Sequence, residues 1–212
     1  MSVTLPQTSD RMVLKNISWQ TYQDLVHDLE QEPGVRLTYD RGLLEIQMPL
    51  APHEGFKKLI GRMIEALTEE LGIEIRSLGS TTWNREDLAR GLEADQCYYI
   101  QHEAQVRSIA TIDLNQDPPP DLAIEIDITS ISLDQLDIFA DLGVPEVWIY
   151  DGTALKIYQI QNQGYVQCAT SHVLPQLPPD QVVRFLELAQ TIGETSWMRS
   201  FRQWLREQDF GE

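Results

Sequence analysis

Three carboxylates stand at even spacing in one strand-like run near the middle of the chain. The run, from Asp121 to Asp127, reads DLAIEID and alternates acidic or small residues with large aliphatic ones. Side chains of a strand alternate between its two faces, so Asp121, Glu125 and Asp127 are expected on one face. Carboxylates on one face repel one another unless a cation offsets their charge, and a divalent metal ion is the simplest such cation. The alternative interpretation is a solvated polar face with no function.

Composition narrows the classes of protein that this chain can be. Its 212 residues suit one large domain, and no apolar run is long enough to cross a membrane. The N-terminus lacks the regions of a signal peptide, and Cys97 and Cys168 form no metal-binding pair, so we expect a cytoplasmic protein without disulfides or structural zinc. The net charge of −17 argues against broad nucleic-acid binding through Lys and Arg. It leaves open a nuclease whose metal ions lessen its repulsion of phosphate.

Helical and strand-like segments alternate in a way that predicts an α/β protein, with a mixed sheet flanked by helices. An N-terminal helix and a hairpin are expected within residues 1–50, a core within 53–160 and a helical extension at 179–210. The clearest helix runs from His53 to Leu71, with apolar residues at three-to-four spacing. Asp151-Gly152 predicts a hairpin turn between two further strands.

The last predicted helix, from Glu194 to Glu207, carries an apolar stripe. The stripe consists of Trp197, Phe201, Trp204 and Leu205. Such a stripe is more typical of a core or of a dimer interface than of a cofactor site. It is one reason to expect a homodimer.

Three segments in this order resemble the Uma family of restriction endonucleases, a family abundant in cyanobacteria. The segments are GLEADQCYYI, PPPDLAIEIDITS and LGVPEVWIYDG with the helix that precedes it. The family belongs to the PD-(D/E)XK superfamily, so the resemblance implies a single nuclease-like domain with a restriction-endonuclease-like core. It covers most of the chain, from the helix at Ser18 to the C-terminal helix.

The resemblance also implies a metal-dependent site that hydrolyses DNA. Asp95 matches the Asp of the "PD" element and Glu125 matches the acid of the "(D/E)XK" element. Both would bind Mg²⁺ or Mn²⁺, because magnesium takes one or two carboxylates together with water and substrate phosphate. Asp127 could assist, whereas Asp121 lies about 13 Å from Glu125 along an extended strand. Glu54 is a further candidate ligand, or simply a favourable charge at a helix N-terminus.

The sequence departs from this family pattern at two positions. Ala94 replaces the proline of the "PD" element. Asp127 stands where the superfamily motif has Lys, and the basic residue that the family places on the following helix is matched here by Gln135. A cation there would help to orient water and to stabilise transition-state charge. Gln135 could instead complete a capping box with Ser132, and Lys57, Lys58 or Arg62 could supply the charge.

Two functions remain open, with a third less favoured. The first is a Mg²⁺- or Mn²⁺-dependent endonuclease with Asp95, Glu125, Asp127 and Gln135 in its active site and DNA as its substrate. The second is a catalytically degenerate module that keeps the nuclease fold in order to bind nucleic acid or a protein. A glycosidase with two acids is the third, and it lacks the aromatic pattern of a sugar groove. No membrane partner is expected.

Overall fold

The structure, a computed structural model, describes residues 11–29, 34–48, 51–128, 134–162 and 164–208. Its strands in these ranges are β1 (Arg11–Lys15), β2 (Arg36–Asp40), β3 (Leu43–Gln47), β4 (Arg76–Arg85), β5 (Arg90–Tyr99), β6 (Leu122–Ile126), β7 (Glu146–Tyr150), β8 (Leu155–Gln161) and β9 (Gly164–Cys168). Its helices are α1 (Trp19–Asp28), α2 (Ala51–Leu71), α3 (Glu103–Val106), α4 (Gln135–Leu142), α5 (Pro179–Ala189) and α6 (Glu194–Glu207). The expected mixed sheet flanked by helices is therefore confirmed.

One sheet contains all the described strands, in the order β1-β3-β2-β5-β6-β7-β8-β9, with β4 paired to β5 as well. The β6–β7 pair is parallel and every other pair is antiparallel. The connection between these two parallel strands includes α4, because parallel neighbours need a crossover of this kind. No helix in the described part of the chain is long and apolar enough to cross a membrane.

The two faces of the sheet bury different parts of the β6 sequence. Leu122, Ile124 and Ile126 pack in the larger core, which α2, α5 and α6 cover. Ala123 packs in a second core against α4. The alternation expected from the sequence is therefore observed, although the strand itself ends at Ile126 and is buried along its whole length.

Helix α2 lies close against β5, and a glycine permits this approach. A Cβ atom at Gly61 would lie 3.0 Å from the Tyr98 hydroxyl and 3.1 Å from Gln96 Nε2. Both neighbours belong to β5. The close contact fixes the first two turns of α2, which carry His53, Glu54 and Lys57, relative to this central strand.

Strand β4 is longer than its sequence predicts. The apolar residues of the stretch 73–77 predict a short strand followed by a polar connection, whereas the strand runs from Arg76 to Arg85. Its side chains are mostly half-buried, so the apolar alternation that marks a strand is weak here. Pairing with the well-buried β5 holds this polar segment in the sheet.

The apolar stripe of α6 packs within the chain. Trp197, Phe201 and Leu205 are buried in the larger core, and Trp204 is partly buried against it. The interpretation as core packing is confirmed. The stripe therefore offers no exposed dimer surface, and the homodimer stays a prediction without this support.

Candidate active site

The candidate site lies where β5 changes partner. Strand β4 pairs with β5 along its whole length, and a strand has only two edges, so β2 and β6 must share the other edge. The β2 ladder ends at Thr38 opposite Leu92, and the β6 ladder begins at Ile124 opposite Gln96. Between the two ladders, a short stretch of β5 has no paired strand on this edge. Asp95 lies in that gap.

An irregularity in β5 coincides with the gap. The register with β4 shifts between Cys97, which opposes Gly79, and Ala94, which opposes Thr81. Strand β5 therefore has one extra residue at Asp95 and Gln96, which is the geometry of a β-bulge. A bulge redirects the side chains around it and is common next to active sites.

Two hydrogen bonds join Asp95 to the end of β6, one through the side chain of Glu125 and one through the backbone of Ile126. The backbone N–H of Asp95 donates to Glu125 Oε1 at 3.3 Å, and the backbone N–H of Ile126 donates to Asp95 Oδ2 at 2.6 Å. These amides lie just beyond the end of the β5–β6 ladder, so the carboxylates take the place of the missing strand hydrogen bonds. Asp95 is 1% exposed and Glu125 is 6% exposed. The two acids therefore converge in a nearly dry cleft.

Burial makes a negative charge costly at this point. Burial, together with the charges of Asp127 and Glu93, raises the pKa of Glu125 to about 8, although Arg36 acts in the opposite direction. The pKa of Glu93, which lines the same cavity, is also raised, chiefly by burial. A cleft in which several acids are poorly solvated favours the binding of a cation.

Arg36 provides such a cation, and sequence reasoning did not include it among the site residues. Its guanidinium forms an ion pair with Asp95 through Nη1 and donates from Nη2 to Glu54 Oε1 at 2.9 Å. Arg36 belongs to β2, two residues beyond the end of its ladder with β5 and therefore beside the gap. No motif marks this residue. Its place on the hairpin before α2 is the signal that was available.

Glu54 is bound by two cations beside Asp95, and its role as a metal ligand stays a prediction. One of its oxygens accepts from Arg36, and the other pairs with Lys57 at 2.6 Å. Lys57 also donates to Ser80 on β4 at 3.1 Å. Beside them, His53 is buried, and burial together with Arg36 lowers its pKa. Its Nε2 has no hydrogen-bond partner among the described residues.

Asp127 and Gln135 line the same small cavity as Asp95, Glu125 and Arg36. Gln135 is the first residue of α4, with Asp134 at the N-cap position. Ser132, its expected capping partner, lies outside the described residues. The cavity leaves about 20 Å³ for the centre of a water-sized sphere, which is enough for one water molecule or one ion.

Asp121 has a different role at the other end of β6. Its Oδ2 accepts from the backbone N–H groups of Ile100 at 2.7 Å and His102 at 3.0 Å, and its Oδ1 contacts His102 Nδ1 at 2.5 Å. It fixes the chain that leaves β5. The three acids of the run are therefore not equivalent.

A family model described as "Uma2: Putative restriction endonuclease" matches residues 19–191. This range is most of the chain and contains all of the site. The chain belongs to the Uma2 family. Membership confirms the resemblance seen in the sequence, agrees with the expected restriction-endonuclease-like core and supports a nuclease function.

A solved structure is also similar to this chain. It is described as a "putative nuclease belonging to DUF820" from Anabaena variabilis ATCC 29413, and it is 16% identical in sequence. The match covers 76% of this chain and 90% of that one, with a TM-score of 0.45. No curated protein matches the chain.

The Uma2 chain lacks a basic residue at the two positions where the pattern expects one. Asp127 and Gln135 both face the cavity without positive charge. Of the three alternatives on α2, Lys57 lowers the pKa of Glu125 electrostatically and so acts on the site. Arg62 instead pairs with Glu194 at 2.8 Å, and Lys58 is exposed.

The residues present fit a hard divalent cation in kind and in number. Asp95 and Glu125 supply carboxylate oxygens in one cleft, and magnesium sites of nucleases commonly use one or two protein carboxylates. No cluster of three or more His, Cys, Asp or Glu side chains suited to a metal occurs in the described ranges. A bound ion would therefore need water or substrate oxygens to complete its shell.

Proposed function

We propose that this Uma2 protein is a Mg²⁺- or Mn²⁺-dependent endonuclease that hydrolyses phosphodiester bonds of DNA. The observation that carries the proposal is the convergence of Asp95 and Glu125, from two strands, in the gap along β5. Family membership supports the nuclease class. Metal dependence and the DNA substrate rest on the chemistry of this acid pair.

Asp95 and Glu125 would hold the metal, which when bound would polarise the phosphate and lower the pKa of a bound water. The backbone N–H groups of Asp95 and Ile126 fix the orientation of the two carboxylates, so their oxygens need little rearrangement. The carboxamide of Gln135 and the carboxylate of Asp127 would orient the attacking water, since both line the cavity. Gln135 can accept and donate hydrogen bonds but cannot offset charge.

Cleavage of supercoiled plasmid with Mg²⁺ or Mn²⁺ tests the proposal. We expect nicked and linear products, and we expect Asp95→Asn or Glu125→Gln to lower the rate by roughly 100-fold or more, because each removes an oxygen ligand of the metal. Glu86→Gln is the matched control, since Glu86 is exposed in the short turn that follows the end of β4. Activity that persists in the Asp95→Asn, Glu125→Gln double variant would contradict the assignment of these two acids to the active site.

A second function is supported by a specific observation. The family's cation position holds Gln135, and Arg36 pairs with Asp95, as in a site that has lost catalysis and stabilised its acids internally. The chain would then be a nuclease-fold module that binds nucleic acid or a protein. Calorimetric titration with Mn²⁺ separates the two functions: binding that Glu125→Gln abolishes supports the nuclease, and absence of binding with no cleavage supports the module.

A further inference from the structure

Arg36 is in contact with the acids that the proposed metal would use. It bridges Asp95 and Glu54, and its side chain is only 12% exposed. A guanidinium and a divalent ion cannot both stay close to the same Asp95 oxygen, because like charges repel strongly in a poorly solvated cleft. The position of Arg36 therefore competes with metal binding.

The other basic residues near the cavity have partners other than Asp95 and Glu125. Lys57 is held by Glu54 and Ser80, and Arg11 pairs with Glu45 at 3.2 Å. The positions expected to carry the catalytic cation hold Asp127 and Gln135. Arg36 is thus the residue best placed to supply positive charge to a phosphate at this site.

We infer that Arg36 serves as the cation of the site and exchanges partners: it neutralises Asp95 in the metal-free protein, and it contacts the phosphate of the nucleic acid once a divalent ion occupies Asp95 and Glu125. The inference rests on the proposed function. Glu54 makes the exchange feasible, because its hydrogen bond to Nη2 keeps the guanidinium beside the cavity after Nη1 leaves Asp95. A planar guanidinium also suits phosphate oxygens, to which it can donate two parallel hydrogen bonds.

If Arg36 exchanges partners, its substitution should strengthen the binding of Mn²⁺ and slow the cleavage of plasmid. Arg36→Gln removes the competing cation, so Mn²⁺ should bind about tenfold more tightly in calorimetry, as expected for the loss of a partly buried ion pair of about 1.4 kcal/mol. The same variant should cleave plasmid at least about tenfold more slowly at saturating metal, because phosphate charge is no longer offset. Arg36→Lys should restore part of the cleavage rate.

Arg41→Gln is the matched control. Arg41 follows β2 in the same hairpin, is 60% exposed and pairs with Asp141 rather than with the site, so neither Mn²⁺ affinity nor cleavage should change. Thermal melts establish that each variant is folded. If Arg36→Gln does not fold, Arg36→Lys decides: a single ammonium bridges two carboxylates less well, so tighter Mn²⁺ binding than in the wild type is still expected.

Two results would overturn the inference and leave the proposed function standing. Equal Mn²⁺ affinity in the wild type and the Arg36 variants excludes competition, even if cleavage requires Asp95 and Glu125. Tighter metal binding with unchanged or faster cleavage excludes the contact with phosphate. Failure of every variant to bind Mn²⁺ overturns both the inference and the proposed function.

Discussion

At the scale of single residues, identical side chains differ in role because of what surrounds them. Asp121 and Asp95 are both 1% exposed. Asp121 is bound by two backbone amides and by His102, which hold a loop in place. Asp95 instead meets Arg36 and the end of β6, in a cavity with other acids. Carboxylates that face an open cavity, rather than a saturated set of donors, are the ones available for a ligand.

Gln135 provides the sharpest test at this scale. Gln135→Lys should raise the rate of plasmid cleavage about tenfold, because an ammonium at the cavity would stabilise transition-state charge that the amide cannot offset. The rate should be measured at saturating Mg²⁺, with Gln203→Lys on the exposed face of α6 as the control for added charge. An unchanged rate in a folded Gln135→Lys variant would contradict this prediction and would mean that the positive charge of Arg36 is sufficient for the site.

At the scale of elements, the site depends on strand pairing more than on any one strand. Strand β5 exchanges β2 for β6 along one edge, and its bulge against β4 lies at the same point. The acids Asp95 and Glu125, the cation Arg36 and the first turns of α2 and α4 meet there. Strand β5 contributes Asp95 from its middle, and the other elements contribute residues at or near one end. The charged side chains can therefore gather without interrupting the apolar cores.

The hairpin between β7 and β8 supports the parallel neighbour of β6. Asp151 accepts from the N–H of Thr153 at 3.0 Å and that of Ala154 at 2.8 Å, and it pairs with Lys156 at 2.9 Å. The bond from Lys156, followed by those backbone bonds, holds the pKa of Asp151 well below its usual range. The turn is therefore stabilised by the ionised carboxylate.

Asp151→Ala should lower the free energy of unfolding by about 1 kcal/mol near neutral pH, through the lost turn hydrogen bonds. Because the folded pKa is depressed, this contribution is fully present above the unfolded value of about 3.9 and is lost as pH falls through the folded pKa. Urea unfolding at several pH values should therefore give a difference from wild type that shrinks below about pH 4. Asp24→Ala, on the exposed side of α1, is the control for removal of a surface carboxylate. A constant difference would contradict the assignment.

At the scale of the whole molecule, the C-terminal helix is part of the core. The family match ends at residue 191, whereas α6 begins at Glu194. The Phe201 ring nevertheless lies 5.0 Å from that of Phe185, edge to face, and is fully buried in the core that also contains α2 and β6. Helix α6 therefore closes the face of the sheet opposite to α4.

Phe201→Ala should lower the free energy of unfolding by about 3–5 kcal/mol, since it opens a cavity in this core. Urea titration followed by circular dichroism measures the effect. Gln203→Ala, on the exposed face of the same helix, is the control and should change stability by less than about 0.5 kcal/mol. A small effect at Phe201 would mean that α6 is an appendage, as the boundary of an extension at 179–210 suggested.

The sequence by itself determined the helices other than α3, most strands, the alternating burial of β6 and the family. These features depend on local periodicity, on turn residues such as Asp151-Gly152 and on the order of short motifs, all of which can be read along the chain. The full length of the polar strand β4 could not be predicted, because its alternation is weak and its pairing with β5 is a long-range contact. The apolar stripe of α6 indicated packing, but the boundary of an extension at 179–210 did not show that this helix completes the main core.

Only the tertiary structure decided which charges meet. The strand period put Asp121, Glu125 and Asp127 on one face, but the fold separates Asp121 at one end of β6 from Glu125 and Asp127 at the other. Arg36 reaches Asp95 because β2 and β6 share an edge of β5. Electrostatic partners in a fold are chosen by distance in space and by burial. Spacing along the chain determines neither for residues on different strands.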